Sequence, residues 1–251
     1  MTTARANAAT QAETRTPPHA LELVGVTAAY GRIEVLHGVD LVVPRGSVVA
    51  LLGPNGAGKT TTLRVASGQM EPTAGHVHLS GHHLNGADPD RLARAGLCTV
   101  PEGRGIFPNL TVDENIRLFA YTATAPEKEV RERTFTQFPR LQERHGQLAG
   151  RLSGGEQQML AMARALSTDP ALLMLDELSM GLAPIIVGQL YELVGEIAAT
   201  GVSVLVVEQF ARRALAVADY AVVMVGGRVT AVGEPKDVEA ELSAAYLGGA
   251  A

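Results

Sequence analysis

Eight residues, Gly53-Pro54-Asn55-Gly56-Ala57-Gly58-Lys59-Thr60, constrain this chain more than any other feature. They match G-x-x-x-x-G-K-[ST] and stand between a short apolar run, Gly46 to Leu52, and a helical pattern, Gly58 to Gly68. Such a loop needs a strand to deliver it and a helix to leave it. Its backbone N–H groups close around phosphate oxygens while the helix N-terminus adds partial positive charge. Lys59 supplies a full charge to the β and γ phosphates, Thr60 a hydroxyl for Mg2+, and Thr61 follows on the same helix turn. Only three of the 21 basic residues are lysines, Lys59, Lys128 and Lys236, so a lysine at this position stands out.

The flanking pattern extends the constraint to the whole fold. Leu21 to Val26, Gly38 to Val43, His76 to Ser80, Leu97 to Val100, Leu172 to Leu175 and Val202 to Val207 read as strands. Thr111 with Glu114, and Ser153 with Glu156, each form the S/T-x-x-E pattern that opens a helix, and Pro184 stands at a first helical position ahead of Ile185 to Ala198. Ala221 to Val232, with Gly226-Gly227 at its centre, reads as a hairpin. Largely apolar strands alternating with helices predict an α/β fold whose sheet is covered on both faces.

Composition removes several classes of function. The 251 residues carry 21 Lys and Arg against 26 Asp and Glu, a net charge of −5, so no global positive field is available for nucleic acid. Apolar runs such as Val48 to Leu52 and Ala221 to Val225 are far shorter than the roughly 18 residues a membrane-spanning helix needs. Residues 1–19 open with an Ala/Thr/Arg-rich stretch, Met1 to Pro18, and read as a disordered leader. The single Cys98, inside an apolar run, reads as a buried small hydrophobe in a reducing compartment.

Two further segments carry chemistry. Ala171 to Leu175 is an apolar strand ending in Asp176-Glu177, where Asp176 can hold Mg2+ and Glu177 can polarise an attacking water. Leu152-Ser153-Gly154-Gly155-Glu156 places a glycine pair at a helix start, a second anion-binding N-terminus in one chain.

Phosphate loop, Leu152 to Glu156 and Asp176-Glu177, in this order, resemble the nucleotide-binding subunit of ABC transporters, and the resemblance covers Leu21 to about Gly249. It implies a P-loop ABC ATPase core over residues 20–251, with an N-terminal antiparallel β subdomain and a helical subdomain at about 104–155. It also implies that ATP, with Mg2+, is sandwiched head to tail between two such subunits, the loop Gly53 to Thr60 of one facing Ser153, Gly154, Gly155 and Glu156 of the other. By the same resemblance Tyr30 stacks on adenine. Glu102, in Val100-Pro101-Glu102-Gly103-Arg104, stands where a Gln usually approaches γ-phosphate and metal, and Gln209 stands where a His usually contacts γ-phosphate. Its amide donates a hydrogen bond and carries no proton. Ala183 replaces an Asp common in the segment facing the partner, and Leu178 a Pro.

Glu102, Gln209 and Ala183, with Pro101 to Arg104 and the ending Ala245-Tyr246-Leu247-Gly248-Gly249, are similar to the LivF type, the ATPase of branched-chain amino acid importers; a relative serving urea or short amides stays open. The resemblance implies a peripheral protein on the cytoplasmic face of the membrane, a homologous ATPase partner, two transmembrane permeases and an extracytoplasmic solute-binding protein. Ile106, Phe107 and Leu110 would form an apolar patch for the permeases or pack under their own subdomain. Arg104 would anchor a partner carboxylate or lie solvated, and His76, His78, His82 and His83 read as a polar surface turn. Two rivals remain: a soluble ATP-driven clamp, which lacks the coiled-coil insert it requires, and a nucleotide sensor without turnover, suggested by Gln209 and Ala183.

Overall fold

The structure, a computed structural model, describes residues 19–121, 123 and 125–247. The expected leader, up to residue 18, and the final Gly248-Gly249 of the closing pentapeptide lie outside the described residues.

In chain order, β1 (Leu21–Tyr30) and β2 (Ile33–Val43) form an antiparallel hairpin, β3 (Val48–Leu52) leads into α1 (Lys59–Ala66), and β4 (Ala74–Leu79) and β5 (His82–His83) follow. After α2 (Pro89–Arg94) and β6 (Leu97–Val100) come α3 (Val112–Ala120), α4 (Glu127–Gln137), α5 (Pro139–Glu143) and a 3-10 turn at Ala149–Arg151. Then α6 (Gly154–Leu166), β7 (Leu172–Asp176), α7 (Pro184–Ala199), β8 (Ser203–Glu208) and α8 (Ala211–Leu215) alternate. The hairpin β9 (Tyr220–Val225) and β10 (Arg228–Gly233) precedes α9 (Glu239–Leu247).

One sheet is antiparallel, in the order β2-β1-β4-β5; the other has six strands, β10-β9-β3-β8-β7-β6, parallel except for the β9–β10 pair. Strand alternation splits each parallel strand between two cores. Ala50, Leu52, Leu173, Leu175, Val204 and Val206 join one core with α6 and α7, while Val49, Leu51, Leu172, Met174, Leu205 and Val207 join the other with α1 and the antiparallel sheet. The expected α/β architecture, with a sheet covered on both faces, is the one observed.

Three local differences have physical causes. The first two strands run longer than their apolar alternation predicts because β1 bulges after Leu23, where the Gly25 N–H donates to Asp40 Oδ1 at 2.7 Å and breaks the period-two pattern. The turn-rich stretch before Leu97 includes β5 and abuts α2, which opens on Pro89. Cys98 is half-buried at the edge of the first core rather than fully enclosed, and burial raises its thiol pKa. Both expected capping boxes are present: Thr111 Oγ1 and Ser153 Oγ accept from the Glu114 and Glu156 N–H groups, and each glutamate accepts from its cap residue's backbone.

The segment from Phe107 to Thr111 is pinned by one buried side chain. Asn115 Oδ1 accepts from the Phe107 N–H at 2.9 Å, and its Nδ2 donates to the carbonyls of Phe107, Leu110 and Thr111 at 3.0, 3.3 and 2.9 Å. Asn115→Leu would remove all four bonds, leaving the Phe107 N–H without its acceptor and the three carbonyls with only their backbone donors, at about 3 kcal/mol in all. The melting temperature is then expected to fall by about 6–12 °C with nucleotide affinity unchanged; an unaltered melting curve would show that Asn115 is not the pin.

Candidate active site

The carboxyl ends of β3, β8 and β7 lie side by side, with Leu52 paired to Glu208 and Asp176 to Val207. The loop of residues 53–60 therefore leaves the middle of the parallel sheet, beside the acids of the neighbouring strands, where ligands of open α/β sheets bind. Gly53 admits no side chain: a Cβ there would lie 2.2 Å from the Met224 carbonyl oxygen. Lys59 opens α1 and folds back on its own loop, Nζ donating to the carbonyls of Gly53 at 2.8 Å and Pro54 at 3.1 Å. Burial pushes its ammonium pKa down, while Glu177, Asp176 and Glu208 push it up.

Asp176 ends β7 in a buried position, and its Oδ1 has no hydrogen-bond partner among the described residues. Burial, then the charges of Glu177 and Glu102, raise its pKa from 3.8 to about 6. Glu177 follows in left-handed backbone, φ 47°, with its N–H on the Val207 carbonyl at 2.9 Å; burial and Glu102 raise its pKa too. Glu102 is exposed yet within electrostatic reach of both, so the structure brings Lys59, Glu102, Asp176 and Glu177 into one neighbourhood. Thr60 is exposed at the same loop and Thr61 is buried behind it.

An orphaned, buried carboxylate oxygen among like charges is what a divalent cation satisfies, so these residues fit Mg2+. No group of three His, Cys, Asp or Glu among the described residues is arranged to hold a metal unaided. The remaining ligands would be the Thr60 hydroxyl, a nucleotide phosphate and water, the donor set Mg2+ prefers.

Tyr30, at the end of β1, presents a ring 45% exposed. Its hydroxyl accepts from Arg64 Nη1 at 2.9 Å and hydrogen-bonds with Thr61, which fixes it against the first turns of α1. Ser153 caps α6, and its hydroxyl donates to Glu156 Oε2 at 2.8 Å, while Arg144 holds the other oxygen of Glu156. Of the two glycines after Ser153, packing requires the second, while the first lies against a flexible side-chain tip. A Cβ on Gly155 would meet Ile186 Cγ2 at 2.4 Å, and one on Gly154 would meet the Arg104 guanidinium at 2.9 Å. The α6 N-terminus thus lies against Arg104, Leu182 and Ile186, whereas residues 53–60 pack on β2 and β9: two glycine-bearing helix starts in different surroundings.

Several surface expectations change. Arg104 donates within its own chain, to Gln157 Oε1. Phe107 is 44% exposed, but Ile106 and Leu110 are half-buried. Arg164, which the sequence reading did not single out, lies buried between the rings of Phe107 and Phe119, 4.8 and 4.0 Å from their centroids. Leu178 is a core residue, and Ala183 leaves α7 without a side-chain cap. His76, His78 and His83 gather on one face of β4 and β5, ring centroids 5.1–6.2 Å apart.

Glu208 is the residue the motifs did not mark. It is 1% exposed, and its carboxylate accepts from the Ser179 N–H and hydroxyl, both at 2.9 Å, and from the Tyr191 hydroxyl at 2.7 Å. The one sequence signal is an acid ending a largely apolar strand, Val202 to Val207.

The model of the family described as ABC transporter matches residues 36–179, more than half of the chain. The chain belongs to the ABC transporter family. The high-affinity branched-chain amino acid transport ATP-binding protein BraG of Pseudomonas aeruginosa is 41% identical, over 89% of this chain and 97% of its own length. The probable branched-chain amino acid transport ATP-binding protein LivF of Archaeoglobus fulgidus is 37% identical, over 83% and 89%. Among solved structures, an ATP-binding cassette of an ABC transporter in its ADP conformation superposes with a TM-score of 0.81 at 27% identity, covering 92% of this chain and 99% of that one. The chain is therefore an ABC-type ATPase and an ATP-binding transporter subunit. No helix among the described residues is long and apolar enough to cross a membrane.

The raised pKa of Asp176 gives the nucleotide-free ABC subunit a pH signature. Its folded value, about 6, lies above the ordinary 3.8. The folded state therefore holds its proton more tightly, and the stabilisation present below about pH 4 is lost as pH rises through 6. By that shift the ionised group costs about 2–3 kcal/mol at neutral pH. Asp176→Asn is expected to raise the melting temperature at pH 7.5 by about 4–8 °C and to flatten its fall between pH 5 and 7. A variant that melts below wild type across that range would refute the buried-charge account.

Proposed function

We propose that this subunit hydrolyses ATP to drive uptake of branched-chain amino acids through separate permeases, from the cytoplasmic face of the membrane. The observation that carries the catalytic half is the meeting of one buried lysine with the acids ending β7 and the Glu102 loop. The solute draws support from two relatives that are branched-chain amino acid transport ATP-binding proteins, and the direction from the resemblance to the LivF type.

Lys59 exchanges its loop carbonyls for the β and γ phosphates, and the N–H groups of Gly53, Asn55, Gly56, Ala57 and Gly58, on a loop whose path Pro54 helps to fix, close around them with the start of α1. Thr60 and Asp176, with Glu102 approaching, would hold Mg2+, which neutralises charge developing on the phosphates. Tyr30 stacks on the adenine and Thr61 supports the loop. Glu177 orients the attacking water and takes its proton, a role its raised pKa favours. Gln209 donates a hydrogen bond to the γ-phosphate. Ser153, Gly154, Gly155 and Glu156 complete the site of a homologous partner subunit, since one chain holds its two anion-binding ends apart.

System-level partners are two transmembrane permeases, met by the helical subdomain around Phe107, and an extracytoplasmic solute-binding protein. Uptake of urea or short amides is the second reading, which the named relatives do not favour.

Glu177→Gln is expected to bind ATP and dimerise while kcat falls by about 100-fold or more. Unchanged turnover would remove Glu177 from the role. Cells lacking the subunit should lose uptake of radiolabelled leucine and keep that of urea; the opposite outcome assigns the second solute class.

A further inference from the structure

We infer that Glu208 is a positioning residue for Glu177, acting through Ser179 and Tyr191. The inference rests on the proposed role of Glu177 and adds the device that holds it.

Glu177 is not a glycine, yet its backbone is left-handed at φ 47°. Such a conformation persists in a bulky residue only where its surroundings over-determine it. One restraint lies before the turn: the Glu177 N–H donates to Val207, fixing it to β8. The restraint after it is Glu208, the next residue of the same strand. Its carboxylate takes both donors of Ser179, two residues beyond Glu177, and is itself braced by Tyr191 of α7. The turn bearing Glu177 is thus tied at both ends to consecutive residues of β8. Glu208 also pairs with Leu52, the last residue before the loop of 53–60, and immediately precedes Gln209. The backbone ladder thus sets Glu208 beside the loop that carries Lys59, and its buried carboxylate ties the segment that carries Glu177 to that same strand. All three of its hydrogen bonds are taken up by Ser179 and Tyr191, the groups that hold the turn.

The geometry also says which substitution spares the clamp. A glutamine at 208 accepts from the Ser179 N–H and the Tyr191 hydroxyl through its carbonyl oxygen and donates to the Ser179 hydroxyl, keeping all three contacts. An alanine keeps none.

The test measures kcat, KM, nucleotide Kd and melting temperature for Glu208→Gln, Glu208→Ala, Ser179→Ala and Tyr191→Phe in the full chain, each alone and combined with Glu177→Gln. Expected are a fall in kcat of about 100-fold for Glu208→Ala and about 10-fold for Ser179→Ala, with Kd within about threefold, because misplacing a reacting group by an ångström has effects of this size. Glu208→Gln should stay within about threefold of wild type. In the Glu177→Gln background neither Glu208→Ala nor Ser179→Ala should lower turnover further, since a residue acting only through Glu177 has nothing left to position. Losses that add to Glu177→Gln, or that appear in Kd instead of kcat, would assign Glu208 a purely structural role and overturn the inference. So would wild-type turnover in Ser179→Ala and Tyr191→Phe, which stay decisive should Glu208→Ala fail to fold. If Glu177→Gln itself leaves turnover unchanged, the underlying role fails instead, and the two failures are told apart.

Discussion

Everything at the active site depends on one electrostatic conflict: a buried lysine and several carboxylates share the carboxyl ends of three adjacent parallel strands. Sheet pairing places them there. Leu52, Glu208 and Asp176 end strands locked in register, so their side chains are delivered to one place by the backbone ladder and not by attraction for one another. The apolar faces on both sides of the sheet supply the stabilisation that keeps them there. Without ligand the conflict is incompletely resolved. Lys59 rests on its own loop carbonyls, and one oxygen of Asp176 has no partner among the described residues. A phosphate group with a divalent cation would settle both, so binding and relief of local frustration are the same event.

The second glycine-bearing helix start obeys a different constraint. At α6 the capping box pairs the Ser153 and Glu156 N–H groups, and Gly155 is required by the close approach of Ile186. Glycine there has two separate justifications, packing inside the chain and access from outside it. Leu182 and Ile186 flank the start of α7, so the α6 end is packed against the helix that follows the Glu177 turn.

Much of this was legible in the sequence because it rests on local chemistry. Thr111, Ser153 and Pro184 mark helix starts through bonds or backbone angles set within a few residues, and the loop of 53–60 carries its own context of strand and helix. What escaped depends on long-range contact. The bulge after Leu23 needs Asp40, and the burial of Arg164 needs the Phe107 and Phe119 rings. The bonds of Glu208 reach Ser179 and Tyr191, far back along the chain, and an acid at the end of an apolar strand looks the same whether solvated or enclosed. Leu178 shows the converse case: a departure from the family pattern that is accounted for by its burial in the core.

The substitution of Gln209 for histidine sharpens the proton balance on the proposed reading. Water attacking a phosphorus centre must give up a proton, and an amide has no capacity to take it. Four carboxylates lie within electrostatic reach of one another, but they are not equivalent acceptors. Asp176 is committed to the cation if it binds one, and Glu208 has both oxygens occupied by three donors. Glu102 is exposed and belongs to the loop that approaches the metal position. Glu177 alone combines partial burial, a raised pKa and a backbone held at both sides of its turn, which is why its placement, more than its mere presence, should decide the rate.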